Sequence, residues 1–170
     1  MPLIRPEQPA DFDAISALLQ VAFSRAAEAR LVHRLRASGK IAVALVAEER
    51  ARILGHVVFS TIAIESPNGA AGAVALARLA VEPAFQRLGI GSALVSAGLE
   101  CCRQERHARV LVLGESAYYA RFGFVPAARF GLKDPSAAAQ NAFLAMELAP
   151  GAFAAASGNV CYGHEFDDLE

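Results

Sequence analysis

The sequence predicts a mixed α/β fold, a central sheet sandwiched by helices, and three observations carry that expectation. Apolar residues recur at helical spacing near the N-terminus and again after residue 90, whereas the segments between them alternate or run continuously as strands do. Helical and strand-like stretches are interleaved along the chain. At 170 residues, 55% hydrophobic and 19% charged, the chain has the size of one domain and is apolar enough to bury a large core. No long linker, low-complexity block or internal repeat divides it, so one domain over residues 1–170 is expected.

The elements follow in order. A short strand at Leu3-Ile4-Arg5 precedes a helix from about Pro9, where proline suits the first turn and Asp11 and Asp13 suit the positive end. Phe12, Ile15, Leu18, Leu19, Ala22 and Phe23 mark its apolar face. A second helix covers roughly Glu28 to Ala37 and stops at Ser38-Gly39. Ala42 to Glu48 and Ile53 to Glu65 read as a hairpin around the charged turn Glu49-Arg50-Ala51-Arg52. Asn68-Gly69 marks a further turn, and a strand from about Val74 to Val81 ends at Glu82-Pro83. The next helix carries Ile90, Leu94, Ala97 and Cys101 on one stripe with Val95, Leu99 and Cys102 beside it, the pattern of a helix packed on a sheet. Arg109 to Leu113 is apolar without alternation, as expected of a strand covered on both faces. A short helix at Ala117 to Phe122, a turn at Gly123 and a last strand at Ala142 to Leu148 complete the body.

Composition excludes several function classes. The net charge is −1, arginine supplies nearly all the positive charge, and lysine occurs only at Lys40 and Lys133, so a nucleic-acid-binding surface is not the main purpose. The three cysteines make neither a disulfide framework nor a metal spacing, since Cys101 and Cys102 are neighbours on a helix and point in different directions. His33, His107 and His164 are scattered, and no metal is expected. The opening residues hold no apolar signal segment and no run approaches a membrane span, which predicts a cytoplasmic protein without a membrane partner.

Gln86-Arg87-Leu88-Gly89-Ile90-Gly91-Ser92, between strand and helix, is the most informative stretch. Its Gln-x-x-Gly-x-Gly spacing lets the backbone turn sharply and approach a ligand, and the following helix aims its unpaired N–H groups and positive dipole end at the same spot. Phosphate is the usual guest of such a loop. A dinucleotide fingerprint needs a third glycine where Leu94 stands, and a nucleoside-triphosphate loop needs Gly-Lys-Ser/Thr, so neither applies. An ordinary helix start with glycines in a tight turn is the competing account of the loop alone.

The order of elements and four further segments carry a resemblance. Leu79-Ala80-Val81-Glu82-Pro83 followed by the glycine loop, then Tyr118-Tyr119-Ala120-Arg121-Phe122-Gly123-Phe124, resembles the GNAT superfamily of acetyl-coenzyme-A-dependent N-acetyltransferases. Gly55-His56-Val57-Val58-Phe59-Ser60, the Tyr-Tyr-x-Arg-Phe-Gly-Phe segment and Phe143-Leu144-Ala145-Met146-Glu147-Leu148 are similar to a bacterial branch with largely unassigned substrates. The likeness spans nearly the whole chain. It implies a mostly antiparallel central sheet with helices on both faces and a splay after the fourth strand. Pro83, lacking a ladder donor, would end that strand and help open the gap.

The resemblance also implies site residues. The pantetheine arm of acetyl-coenzyme A should lie beside the fourth strand, on backbone groups of Leu79, Ala80 and Val81. The pyrophosphate should sit over the N–H groups of Gln86, Arg87, Leu88, Gly89, Ile90, Gly91 and Ser92, with Arg87 either a charge partner or a solvated surface residue. Tyr119, four residues before Gly123-Phe124, holds the place of the family's general acid for the departing thiolate, while Tyr118 reads as packing. Many relatives place a glutamate on the fourth strand, but Val74 to Val81 contains Arg78 and no carboxylate, so no general base is assigned; Arg78 either orients an anionic substrate or forms a structural ion pair. Glu115-Ser116 stands where the branch often has Asp-Pro.

On the acceptor side, Glu28 could attract an ammonium group or be a solvated helix-start charge, and His56, on one strand face with Ser60, could line the cleft or be satisfied within the fold. The tail from Pro150, with Gly158-Asn159-Val160-Cys161-Tyr162 and then Glu165, Asp167, Asp168 and Glu170, could add a strand, cover the cleft or meet a second subunit. Relatives are often dimers, so a homodimer joins the expectations. The expected activity is transfer of an acetyl group to an amine, either a small molecule or a protein amino group. A catalytically silent acyl-coenzyme-A-binding regulatory domain is the alternative.

Overall fold

The computed structural model describes residues 1–134, 142–154 and 156–169, so Glu170 lies outside the described residues. The elements are β1 (Leu3–Pro6), α1 (Phe12–Phe23), α2 (Ala27–Ala37), β2 (Ile41–Glu49), β3 (Arg52–Ser66), β4 (Gly69–Val81), α3 (Ile90–Gln104), β5 (Arg109–Leu113), α4 (Ser116–Tyr119), β6 (Val125–Pro126), β7 (Leu132–Lys133), β8 (Phe143–Glu147) and β9 (Gly158–Cys161). The sheet order is β1-β2-β3-β4-β5-β8-β6, antiparallel along this path except at β4–β5, which is parallel; off the path, β9 pairs antiparallel with β3 and parallel with β7. The expected mixed, mostly antiparallel sheet is present.

Alternation along the strands divides the core into two faces. Leu45, Val57, Phe59, Val74, Leu76, Val110, Val112, Leu144 and Met146 turn toward α3, which contributes Ile90, Leu94, Val95, Leu99 and Cys102. Val46, Val58, Ala77 and Ala80 turn the other way, toward Ile15, Leu18 and Leu19 of α1 and Leu31, Val32 and Leu35 of α2. Farther along that second face, Ile62, Ile64, Ala73, Ala75, Leu111, Phe143 and Ala145 are covered by Ala127, Leu132, Phe153, Ala156 and Val160. β5 is therefore buried on both sides, as its unbroken apolar run requires.

Two glycines seat α3 on β3. A Cβ on Gly55 would come within 2.8 Å of Leu94 Cδ1, and one on Gly98 within 2.3 Å of Phe59 Cε2, so each glycine makes room for a side chain of the opposing element. Phe59, wholly buried, lies across the middle of that contact.

β4 begins at Gly69, earlier than Val74 as the sequence suggested. The stretch Gly-Ala-Ala-Gly-Ala has little strand propensity of its own, and antiparallel pairing with β3 from Ser66↔Gly69 onward holds it. The tail does add a strand. β9 pairs with β3 at Ala63–Glu65, taking the edge that β2 leaves after Ser60, and the 3-10 turn His164–Leu169 lays Phe166 and Leu169 on the α1–α2 cluster. The carboxylate of Glu165, in that turn, lies 3.0 Å from Lys40 Nζ.

Pairing between β4 and β5 covers only Val74–Leu76 against Val110–Val112. At this point β4 carries a β-bulge: Val58 faces Arg78 and Phe59 faces Leu76, so Ala77 has no opposite number on β3. A bulge bends its strand and increases the local twist. β4 thus turns away from β5 immediately after their last rung, and the expected splay is located at Ala77. The strand ends at Val81, and Pro83–Phe85 forms a 3-10 turn leading to the glycine loop.

Gly98→Ala tests the seating of α3. Alanine is the better helix former by roughly 1 kcal/mol, but overpacking a filled core costs about 1–3 kcal/mol. The expected outcome in urea unfolding is a net loss of roughly 1 kcal/mol or more, partly recovered by adding Phe59→Leu. A stabilised single variant would contradict the contact.

Candidate active site

The gap between β4 and β5 exposes a backbone edge. From Ala77 to Val81 one edge of β4 is paired with β3, Leu79 facing Val57, Ala80 facing His56 and Val81 facing Gly55, while among the described residues no strand pairs with the other edge. The side chains of Leu79 and Val81 are half-buried and that of Ala80 is buried. Such an edge presents alternating N–H and C=O groups to an extended ligand. At its end Gln86 Nε2 donates to the Val81 carbonyl at 3.1 Å, tying the glycine loop to the strand.

The loop itself is exposed from Gln86 to Gly89, and its backbone is held in an unusual state. Arg87 has φ 63° and Gly89 φ 89°, both left-handed; glycine adopts this freely, whereas for arginine it is strained. Closely spaced left-handed residues turn backbone N–H groups into a concavity suited to anions. The first intrahelical bond of α3 runs from Ala93 N–H to the Gly89 carbonyl at 3.0 Å, which leaves the N–H groups of Ile90, Gly91 and Ser92 without intrahelical partners. Loop concavity and helix dipole therefore coincide.

Gly91 is where strand, helix and tyrosine pair meet. A Cβ there would lie 3.1 Å from the Tyr118 hydroxyl, 3.6 Å from Val81 Cγ2 and 3.7 Å from Leu79 Cδ2. Tyr118 and Tyr119 are edge-to-face at 5.0 Å, and Arg121 stacks over the Tyr118 ring at 4.4 Å. Tyr119 is only 8% exposed, packs edge-on to Phe124 at 5.7 Å, and lies so close to Gly114 that a Cβ there would be 2.4 Å from its ring. Burial above all, with a contribution from Tyr118 and against the pull of Arg78, pushes its phenol up to about 12. The ring is thus fixed by Gly114 and Phe124, with the phenol protonated across the neutral range.

The substrate-side residues separate. Glu28, at 1% exposure, is not a solvated helix-start charge; its carboxylate is held by Arg25, Nη2 at 2.5 Å and Nε at 2.9 Å from Oε1. Arg78 lies close enough to feel both of these and Tyr119. His56 is wholly buried with Nε2 2.9 Å from Glu7 Oε1, and Arg36 holds the other side of that carboxylate at 3.0 Å. Of the two readings of His56, burial favours a histidine held within the fold with no surface to offer a ligand, although only Nε2 is engaged and Nδ1 is buried without a partner among the described residues. Glu7 stays below the usual carboxylate range because, although burial raises it, hydrogen bonds from His56 and Arg36 outweigh the burial.

Sequence reasoning missed three features here: the Gln86 tie to Val81, the bulge at Ala77 and the Gly114 seat of Tyr119. A glycine at the end of an apolar strand was a signal for the last alone.

Residues 40–126 match the family model of the acetyltransferase (GNAT) domain. The chain is 36% identical over 166 residues, 97% of its length and 98% of the relative's, to the uncharacterized N-acetyltransferase YhbS of Escherichia coli K12. The chain belongs to the GNAT acetyltransferase family. Among solved structures, this GNAT domain is similar to E. coli YhbS in complex with CoA, with a TM-score of 0.94 and 35% identity over 99% of this chain and 93% of that one. It is also similar to a GNAT family acetyltransferase from Brucella melitensis in complex with acetyl-CoA, with a TM-score of 0.81 and 31% identity over 98% and 99% of the two chains.

The raised Tyr119 phenol sets a pH signature. In the unfolded chain the proton leaves near 10 and in the folded GNAT domain near 12, so between these values the unfolded state holds fewer protons and stability falls as pH rises. The contribution is complete below pH 10. Chemical unfolding of wild type and Tyr119→Phe should show a steeper loss of stability in the wild type between about pH 10 and 12; equal slopes would contradict the buried phenol.

Proposed function

We infer that this protein is an N-acetyltransferase that takes its acetyl group from acetyl-coenzyme A and passes it to an amine. The observation that carries the reading is the unpaired edge of β4 running directly into the N-terminus of α3. An extended arm laid against Leu79, Ala80 and Val81 would complete the backbone hydrogen bonds of that edge. A pyrophosphate at its end would meet the N–H groups from Gln86, Arg87 and Leu88 through Gly89, Ile90, Gly91 and Ser92. Arg87, exposed on the loop, adds a cation. The similarity to two acetyltransferase structures determined with CoA or acetyl-CoA supports acetyl-coenzyme A as the ligand.

Acetyl-coenzyme A supplies an activated thioester; the chain supplies position and a proton. Tyr119 is the general acid in this reading: buried, held in one orientation by Gly114 and Phe124, and protonated through neutral pH, it keeps a proton ready for a departing thiolate. Tyr118, with its hydroxyl against Gly91, lines the arm's path and packs against Tyr119.

Calorimetric titration is expected to give micromolar binding of acetyl-coenzyme A to the wild type and none to a variant with bulky residues at Gly89 and Gly91. Tyr119→Phe should retain that binding while losing on the order of a hundredfold in kcat. Binding with no turnover on any amine would favour a silent acyl-coenzyme-A-binding domain. No binding by folded wild type would overturn the reading.

A further inference from the structure

Arg78 lies on β4, and its surroundings leave its charge unanswered. It follows the bulge residue Ala77 on β4 and faces Val58, on the side of the sheet covered by α1 and α2. Its guanidinium lies 5.9 Å from the Phe23 ring centre at the end of α1. Of its N–H groups, Nη1 donates to the Ala77 carbonyl at 2.6 Å, while Nε is buried and has no partner. Among the described residues no carboxylate lies within ion-pair distance of it. Arginine presents five donors in a planar fork, so most of its hydrogen-bonding capacity here is unspent.

Charge counting at this end of the gap gives the same answer. The groups that act on Arg78 are Glu28, Arg25 and Tyr119. Glu28 is already engaged by Arg25, and Tyr119 is neutral, so two arginines face one carboxylate and one positive charge is left over. Burial lowers the proton affinity of Arg78, with Glu28 opposing, which marks a cation held away from water without a full partner. Buried side-chain nitrogens are ordinarily hydrogen-bonded, and the Nε of Arg78 is not. An anion arriving with the ligand would supply the missing partner.

The phosphates of the cofactor are poorly placed to do so. They belong at the Gln86–Ser92 loop, past the end of β4, whereas Arg78 lies at the inner end of the unpaired edge beside Tyr119. We propose that the acceptor is a small amine that also carries a carboxylate, and that Arg78 is the residue that holds this carboxylate so that the amine lies toward Tyr119. This deepens, and rests on, the acetyltransferase reading. The guanidinium fork takes a carboxylate bidentately and thereby fixes the acceptor's orientation. The class is that of amino acids and related amino carboxylates.

The test uses the intact protein, acetyl-coenzyme A, and matched acceptors: amino acids with varied side chains, their carboxamides, their decarboxylated amines, and a lysine-containing peptide with blocked termini. Release of coenzyme A is followed by chromatography. The expected result is that the carboxylate member of a productive set exceeds its carboxamide and amine by about 10–100-fold in kcat/KM, the range of a charge-assisted pair. Arg78→Gln should bring that ratio close to one through the carboxylate acceptor alone, with Arg78→Lys restoring part of it and acetyl-coenzyme A binding unchanged in both.

Four results would overturn the proposal: equal or better use of the uncharged acceptors by wild type, turnover of the peptide only, no turnover of any carboxylate-bearing amine, or an equal loss on all acceptors in Arg78→Gln, which would put the guanidinium on the thioester. Acetyl-coenzyme A binding, measured alongside, separates these from failure of the acetyltransferase reading. Because the wild-type preference is itself decisive, the proposal stays falsifiable if an Arg78 variant fails to fold.

Discussion

β4 can hydrogen-bond β5 only as far as Leu76, because the extra residue at Ala77 re-aims the strand before another rung can form. Most of the candidate site follows from that break. The strand keeps its pairing with β3, so its geometry stays regular, yet it acquires a second edge that the sheet does not use. A backbone edge inside a fold is costly to leave dry. Here it is wetted or covered by whatever enters the gap, and the walls of the gap are already built: α3 and its glycine loop at one end, Tyr119 on its Gly114 seat at the other.

Electrostatics give the two ends of this slot different characters. At the loop, unpaired N–H groups and an exposed arginine in a strained backbone attract anionic groups that remain near water. At the inner end, Arg25, Glu28 and Arg78 form a partly closed set with one charge to spare. That inner set depends on α1 and α2 being held against the sheet. Arg5 bridges Asp11 and Glu48, Arg36 joins Glu7 beside His56, and Lys40 meets the buried Glu165. Pairs with exposed members contribute little each, about 1 kcal/mol or less. Their use here is to fix the helices laterally, the apolar faces of α1 and α2 supplying most of the stabilisation.

What the sequence disclosed was what is local. The glycine loop, the helix it begins and the strand before it were all legible, since turn chemistry and helix starts are written in adjacent residues. The apolar run of β5 announced a doubly covered strand. The bulge at Ala77 was not legible: it consists of an alanine in an apolar run, and only its register against β3 reveals it. β9 and the early start of β4 escaped precise assignment because long-range pairing with β3, not propensity, holds them. His56 and Arg78 show the same limit in the site. One is bonded through Nε2 to Glu7, forty-nine positions away, with Nδ1 left unpartnered, and the other has no carboxylate partner among the described residues, and neither fact is visible until the chain is folded.

The central claim is that the free edge of β4 and the N-terminus of α3 are one continuous ligand surface. Amide hydrogen exchange read by mass spectrometry, with and without acetyl-coenzyme A, tests it most directly. In the free protein the N–H groups of residues 77–81 that point away from β3, and those of residues 87–92, should exchange much faster than the paired amides of the same strand. Saturating acetyl-coenzyme A should slow both sets together, leaving β2 and β9 unchanged. Protection confined to another part of the molecule, or protection of the loop without the strand edge, would contradict the account.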